Sequence, residues 1–329
     1  MDKEISVKQL TGLDIFRFAA SVCVVMIHSF MQYENFFDAY IVRIFVRWAV
    51  PFFFMVSGYF LKDDSKDLLK YLLHIFVQYL FWTLFYSIVF KYDIWSVKNL
   101  LSALRSGIIM PFWYFPSLML CITLVWLLFK IIKRPKWVLL ICSVLFIYAL
   151  IGHTFINVPA FDFINNGHIM KLHHRVIGEV TTRDGIFWGS LYVAVGKTLH
   201  TFRESDRLII KNRKKHIALL VIFFILAAME EVAVVYFNTG EKDILIFTVP
   251  FVTLLFIYAL NIRINEQTGV FLRTMSTGVF LTHYFFLEIL MRRHILSFPL
   301  FILTLICSLA VSFVFTWLAG KSKVIKYIV

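Results

Sequence analysis

The sequence predicts an all-α protein, a polytopic transmembrane bundle of about ten helical spans with both termini inside. Three observations carry this expectation. Of 329 residues, 60% are hydrophobic and only 16% charged, and the mean hydropathy is +0.80. No soluble domain of this length tolerates such a surface. The apolar runs continue for about 20 residues instead of alternating over about ten, so the spans are helices and not barrel strands. Lysine and arginine cluster at residues 62–70, 130–136, 197–215 and 321–326, which all fall in the cytoplasm if the N-terminus is inside. Glu230, Glu231, Glu241 and Asp243 then lie outside.

The chain reads as one integral membrane domain over 1–329, with residues 1–12 as a polar cytoplasmic leader and without a separate soluble domain or an evident repeat. The first span is Leu13 to Gln32, with Thr11 at its start and Asp14 near its positive end. It contains Arg17 and lacks a small-residue cleavage site, so it is expected to stay in the mature protein. The second span, Tyr40 to Leu61, carries Pro51 and Ser57-Gly58, which predict a kinked helix held close to a neighbour. The third is Leu68 to Phe90. A short interfacial helix is expected next, with Ile94, Val97, Leu100, Leu101 and Leu104 on one face. The fourth and fifth spans are Trp113 to Lys130 and Trp137 to Ile151, and the longest connection, residues 152–184, is expected outside. Gly185 to Leu199, His216 to Phe237, Ile244 to Ile262, Gly269 to Met291 and Ile295 to Gly320 complete the bundle.

The net charge of +13 resides in these loops, where membrane orientation explains it and nucleic acid need not. Cys23, Cys121, Cys142 and Cys307 each sit alone in an apolar run, without the spacing of a zinc site or a disulfide framework. His168, His173 and His174 have no carboxylate or cysteine pattern beside them, and no metal is expected.

Candidate chemistry begins in the first span. Arg17 and His28 are eleven residues apart, so both project from one helix face, about 16 Å apart along the axis, with Ser21 between them. An arginine facing lipid costs on the order of 3 kcal/mol, so this stripe should face protein or a watery cavity. A histidine there either bridges helices by hydrogen bonds or takes a proton from a hydroxyl near neutral pH. Further polar insertions are Ser57 and Tyr59, Trp113 and Tyr114, Arg183 and Asp184, and the run Ser276, Thr277, Thr282, His283. Ser57-Gly58 equally suits small-residue packing and Arg183 equally suits an interfacial snorkelling role, whereas Glu288 is placed to pair with Arg292 one turn on.

As an ordered set these segments resemble the acyltransferase-3 family of integral membrane acyltransferases. Its first-helix signature, arginine and histidine separated by ten residues, is matched by Arg17 and His28 in LDIFRFAASVCVVMIH. Its second-helix pattern is similar to FFFMVSGYF. FWYFPSLML, RDGIFWG and STGVFLTHYFF resemble three later segments, with Asp184 where asparagine is common and Phe280 where tyrosine is common. The family's paired arginines after the second helix are represented by Lys70 and His74.

The resemblance implies a bacterial inner-membrane O-acyltransferase that moves an acyl group, usually acetyl, from cytoplasmic acyl-CoA to a hydroxyl of an extracytoplasmic glycan or lipid-linked precursor. On that basis His28 is a general base or transient acyl carrier and Arg17 a donor-binding residue, supported by Asp14, Ser57 and Tyr59. Lys70 and His74 join Arg17 in binding acyl-CoA, and Trp113, Arg183 and His283 form the acceptor or oxyanion side. No permanently bound cofactor is implied. Related peptidoglycan O-acetyltransferases carry an added extracellular domain, so transfer here is expected to be completed by the membrane part, as a monomer or homodimer, or by a separate extracytoplasmic partner. The family also resembles the membrane domains of serine racemases associated with serine uptake, which keeps a small-solute transporter as the alternative.

Overall fold

A computed structural model describes residues 10–30, 42–92, 94, 96, 99, 102, 107, 109–165, 167, 171, 182–202, 208–239 and 243–322. Their regular structure is helical throughout. The helices are α1 (Thr11–Phe30), α2 (Arg43–Val46), α3 (Ala49–Tyr59), α4 (Ser65–Phe90), α5 (Tyr114–Ile132), α6 (Pro135–Gly152), α7 (Asp162–Asn165), α8 (Gly189–Phe202), α9 (Arg213–Tyr236), α10 (Thr248–Leu260), α11 (Glu266–Met291) and α12 (Ser297–Ala319), with 3-10 turns at Met110–Trp113 and Pro159–Phe161. Two compact units interleave along the chain. One comprises Met1–Phe53, Arg203–Leu226 and Pro250–Val329, the other Phe54–Phe202 and Ala227–Val249.

In the first unit α1 and α11 run parallel. Gly269 meets Thr11 and Asp14, Ser276 Oγ donates to the Arg17 carbonyl at 2.8 Å, and His283 lies against His28. These three α11 residues are spaced seven apart, the interval that keeps one seam of a helix on a partner. Thr11 fastens the lower end by exchanging hydrogen bonds with Ile264, both 2.9 Å long. Gly12 lets the backbone of α1 reach the carbonyls of Ala259 and Ile262, where a Cβ would collide with both. On α12 the hydroxyls of Ser308, Ser312 and Thr316 donate one turn back at 2.6–2.8 Å, which satisfies them without water. Gly278 of α11 packs on Ser312.

In the second unit α8 lies against α5, α6 and the end of α3. Gly58 abuts the Val193 carbonyl while Gly196 abuts the Met55 carbonyl, a reciprocal backbone approach that any side chain would block. Leu69, Leu73, Phe76 and Leu80 form an exposed apolar stripe on α4, the face suited to lipid. Cys121 and Cys142 are buried, Cys23 and Cys307 half-buried, and all four are free thiols.

Among the described residues six helical segments are long and apolar enough to cross a membrane: Thr11–Phe30, Ser65–Phe90, Met110–Ile132, Pro135–Gly152, Arg213–Tyr236 and Ser297–Ala319. Among the other expected spans, α11 has 26 residues but carries Glu266, Arg273 and Glu288. Helices α3, α8 and α10 have 11, 14 and 13 residues, about 16 to 21 Å, short of a hydrocarbon core of about 30 Å. The second expected span is interrupted by a turn at Arg47 and Trp48, which places Pro51 in the first turn of α3 instead of at a mid-helix kink. A proline there gives up no hydrogen bond. Ile94 of the expected interfacial helix is buried, whereas Val97, Leu100, Leu101 and Leu104 lie outside the described residues, as do His168, His173 and His174.

Candidate functional site

The polar stripe of α1 is fixed at both ends. At one end Arg17 Nη1 donates to Asp14 Oδ1 at 2.7 Å, one turn earlier on the same helix, and Arg273 Nε of α11 stands 3.5 Å from the same oxygen. Asp14 is buried, so one carboxylate holds two guanidinium groups together. Ser21 is also buried and donates to the Phe18 carbonyl at 2.7 Å.

At the other end the rings of His28 and His283 stack, with centroids 5.3 Å apart and planes inclined by 25°. His283 is fully buried. Its Nδ1 lies 2.7 Å from the Phe280 carbonyl and 3.1 Å from that of Val279. Both neighbours are acceptors, so Nδ1 carries the hydrogen and Nε2 keeps its lone pair. That Nε2 is buried without a hydrogen-bond partner among the described residues. His28, half-buried, thus rests against an imidazole of fixed tautomer.

A second cluster belongs to the other unit. Arg183 Nη1 donates to Asp243 Oδ2 at 2.6 Å and its Nε to Asp184 Oδ1 at 3.1 Å. Its guanidinium covers the Trp113 ring at 4.4 Å, and Trp113 stacks on Trp188 at 6.0 Å. His153 Nε2 is 3.6 Å from Asp243 Oδ2. Gly185, at φ +69°, turns the chain beneath this group, with its N–H donated to Ser117 Oγ at 2.8 Å. Burial alone would lower the Arg183 pKa, but the charges of Asp243 and Asp184 hold it above its ordinary value. Burial raises the Asp184 carboxyl above its usual range, with Arg183 pulling against it. Arg183 is therefore anchored in a network and does not snorkel.

The structure thus joins Arg17 to Asp14, His28 to His283, and Trp113 to Arg183. His283, grouped by sequence with Trp113 and Arg183, meets His28 instead. Lys70 is exposed and His74 half-buried one turn apart on α4. Ser57 and Tyr59 are buried at the end of α3, where Tyr59 meets His200 edge-on at 5.2 Å. Glu288 accepts from Arg292 at 2.9 and 3.0 Å, the pair expected from their spacing. Sequence reasoning missed Arg273, although a cation inside an apolar run was the very signal that picked out Arg17, and it placed Lys197 in a cytoplasmic basic cluster without seeing that this side chain is buried and paired with Asp63. It also missed the joining of Asp243 and His153, which depends on loops distant in sequence.

A helical, multi-pass membrane protein with charged and imidazole groups inside its bundle is the class that fold and site define. The chain belongs to the acyltransferase-3 family, whose model, described as an acyltransferase domain, matches residues 10–319. Curated relatives include an amino-acid racemase of Enterococcus faecalis, 27% identical over 284 residues, which are 81% of this chain and 38% of that protein. A second amino-acid racemase of the same organism is 28% identical, over 76% of this chain and 37% of the relative. A serine/alanine racemase of Enterococcus gallinarum is 27% identical, over 77% and 37%. The chain spans a little over a third of the length of these relatives. No solved structure matches.

Proposed function

We propose that the chain is an O-acyltransferase of the bacterial cell membrane. It carries an acyl group, acetyl in the simplest case, from cytoplasmic acyl-CoA to a hydroxyl of an extracytoplasmic glycan or its lipid-linked precursor. The supporting observation is the His28–His283 stack: a half-buried imidazole backed by a second ring whose proton is committed to backbone carbonyls. His28 takes the acceptor's hydroxyl proton as the oxygen bonds to the thioester carbonyl carbon. The carbon–sulfur bond then breaks, and the CoA sulfur leaves with that proton. In the carrier variant the His28 nitrogen bonds to the acyl carbon as the carbon–sulfur bond breaks and CoA leaves as the thiol with the imidazole proton; the acceptor oxygen then bonds to that carbon, the carbon–nitrogen bond breaks and the hydroxyl proton returns to His28. Arg17, oriented by Asp14, binds a donor phosphate or carboxylate. Lys70 and His74 serve the donor, Ser57 and Tyr59 support the bundle, and Trp113 with Arg183 presents a rigid aromatic and cationic surface to the acceptor.

His28→Ala is expected to reach the membrane in normal amount and to lose about 100-fold or more of surface acylation, the scale of a lost general base. Mass spectrometry of envelope glycans measures this, and turnover near wild type in the variant would remove the mechanism.

A second reading is transport of a small solute such as serine, the class of molecule on which the relatives' names say they act as racemases. Proteoliposomes with radiolabelled acetyl-CoA separate the two. Acceptor-dependent CoA release supports the enzyme, and solute accumulation without CoA supports the transporter.

A further inference from the structure

We infer that a lysine-lined pocket in the second unit binds a phosphate ester carrying two negative charges. The cavity, about 370 Å³, lies where α5 and α8 end and α6 begins, and Lys130, Lys133, Lys197, Asp63 and Trp126 line it. Three ammonium groups against one carboxylate leave a formal charge of +2, matched by a phosphomonoester or a pyrophosphate diester. The volume is at the lower end for small-molecule sites.

The wall is built before any ligand arrives. Lys197 is buried, with its Nζ 2.7 Å from Asp63 Oδ1 and 2.6 Å from the Leu61 carbonyl. Trp126 Nε1 donates to the Asp63 carbonyl at 3.1 Å, so the loop before α4 is fastened at two points. Lys130 sits 4.8 Å over the Trp126 ring. Lys133 is the telling residue. It ends α5 in the left-handed conformation, φ +56°, with its N–H donated to the Phe129 carbonyl. Glycine is the usual residue at that position, and a side chain there costs about 1 kcal/mol. Lys91 ends α4 in the same left-handed conformation, so the strain is not particular to this pocket, but at Lys133 it leaves a cation on the pocket wall.

Two sources share this chemistry, the phosphomonoester headgroup of an anionic lipid such as phosphatidic acid and a soluble nucleotide ester such as the phosphates of coenzyme A. The pocket itself stands apart from the acyl-transfer reading, and only the coenzyme A source would rest on it.

The test uses the full chain in neutral detergent. Isothermal titration with coenzyme A probes the soluble source, and native mass spectrometry with phosphatidic acid, a phosphomonoester lipid, against phosphatidylcholine probes the lipid. The wild type is expected to bind one of the two anionic probes. Lys130→Gln with Lys133→Gly should weaken it by about tenfold or more, while Lys130→Arg retains it. Lys133→Gly alone relieves the left-handed strain, so its Tm should hold or rise as binding falls, which separates charge loss from misfolding. His28→Ala should bind the probe like wild type, so lost turnover with intact binding is told apart from a failed pocket. Binding of neither probe, or equal binding by the double variant, overturns the proposal. Lysines serving only to neutralise the ends of α5 and α8 would give that result.

Discussion

Asp184 shows how one buried carboxyl couples the local charge balance to pH. Its pKa is raised chiefly by burial, so the folded protein holds this proton more tightly than the unfolded chain does. The stability linked to this group is greatest below its unfolded pKa and is lost as pH rises through the folded one. Asp184→Asn keeps an oxygen that accepts from Arg183 Nε and removes that dependence. The variant is expected to lie within about 1 kcal/mol of wild type at neutral pH. As pH falls from 7 toward 4, the wild-type Tm should rise relative to the variant, and thermal unfolding in detergent at several pH values measures the gap. At this scale the sequence was informative wherever a polar group interrupted an apolar run, as at Arg17, His28 and His283. It said little about partners. The second guanidinium on Asp14 comes from Arg273, 259 residues further along the chain, because pairing across helices follows packing and not sequence interval.

The α3–α8 contact makes the element scale concrete, because it rests on two glycines that have no substitute. A Cβ at Gly58 or Gly196 would strike the facing backbone carbonyl, which cannot rotate away as a side chain does. Gly58→Ala and Gly196→Ala are each expected to cost about 3 kcal/mol, seen as a lower Tm and reduced membrane accumulation, while Gly320→Ala, which meets nothing closer than 3.3 Å, should be neutral. The small-residue meaning of Ser57-Gly58 was readable from composition, but its partner on α8 was not. Hydropathy also located the long helices well and the short ones poorly. Helices α3, α8 and α10 owe their limits to a turn, to a polar approach segment and to close packing, none of which changes the apolar average of a 20-residue window.

At the scale of the molecule, lysine and arginine predict which end of the bundle faces the cytoplasm. Lys136 and Ala160 flank opposite ends of α6, both exposed. Lys136→Cys should resist a membrane-impermeant maleimide in intact cells and react after permeabilisation, and Ala160→Cys should react in both. The reverse pattern would invert the proposed orientation. Two parallel spans such as α1 and α11 require an odd number of crossings between them, a parity that the expected span count meets. The division into two interleaved units was not legible, since nothing in an apolar run records which distant run it will meet. That interleaving has a consequence for biogenesis. Thr11 bonds to Ile264, 253 residues downstream, so at ribosomal speeds about 13 to 50 s separate the emergence of the two partners. Throughout that interval the first helix waits in or beside the translocon with Arg17 held by Asp14 of the same helix but His28 without the His283 ring it stacks on, and a nascent chain that stalls early leaves it so.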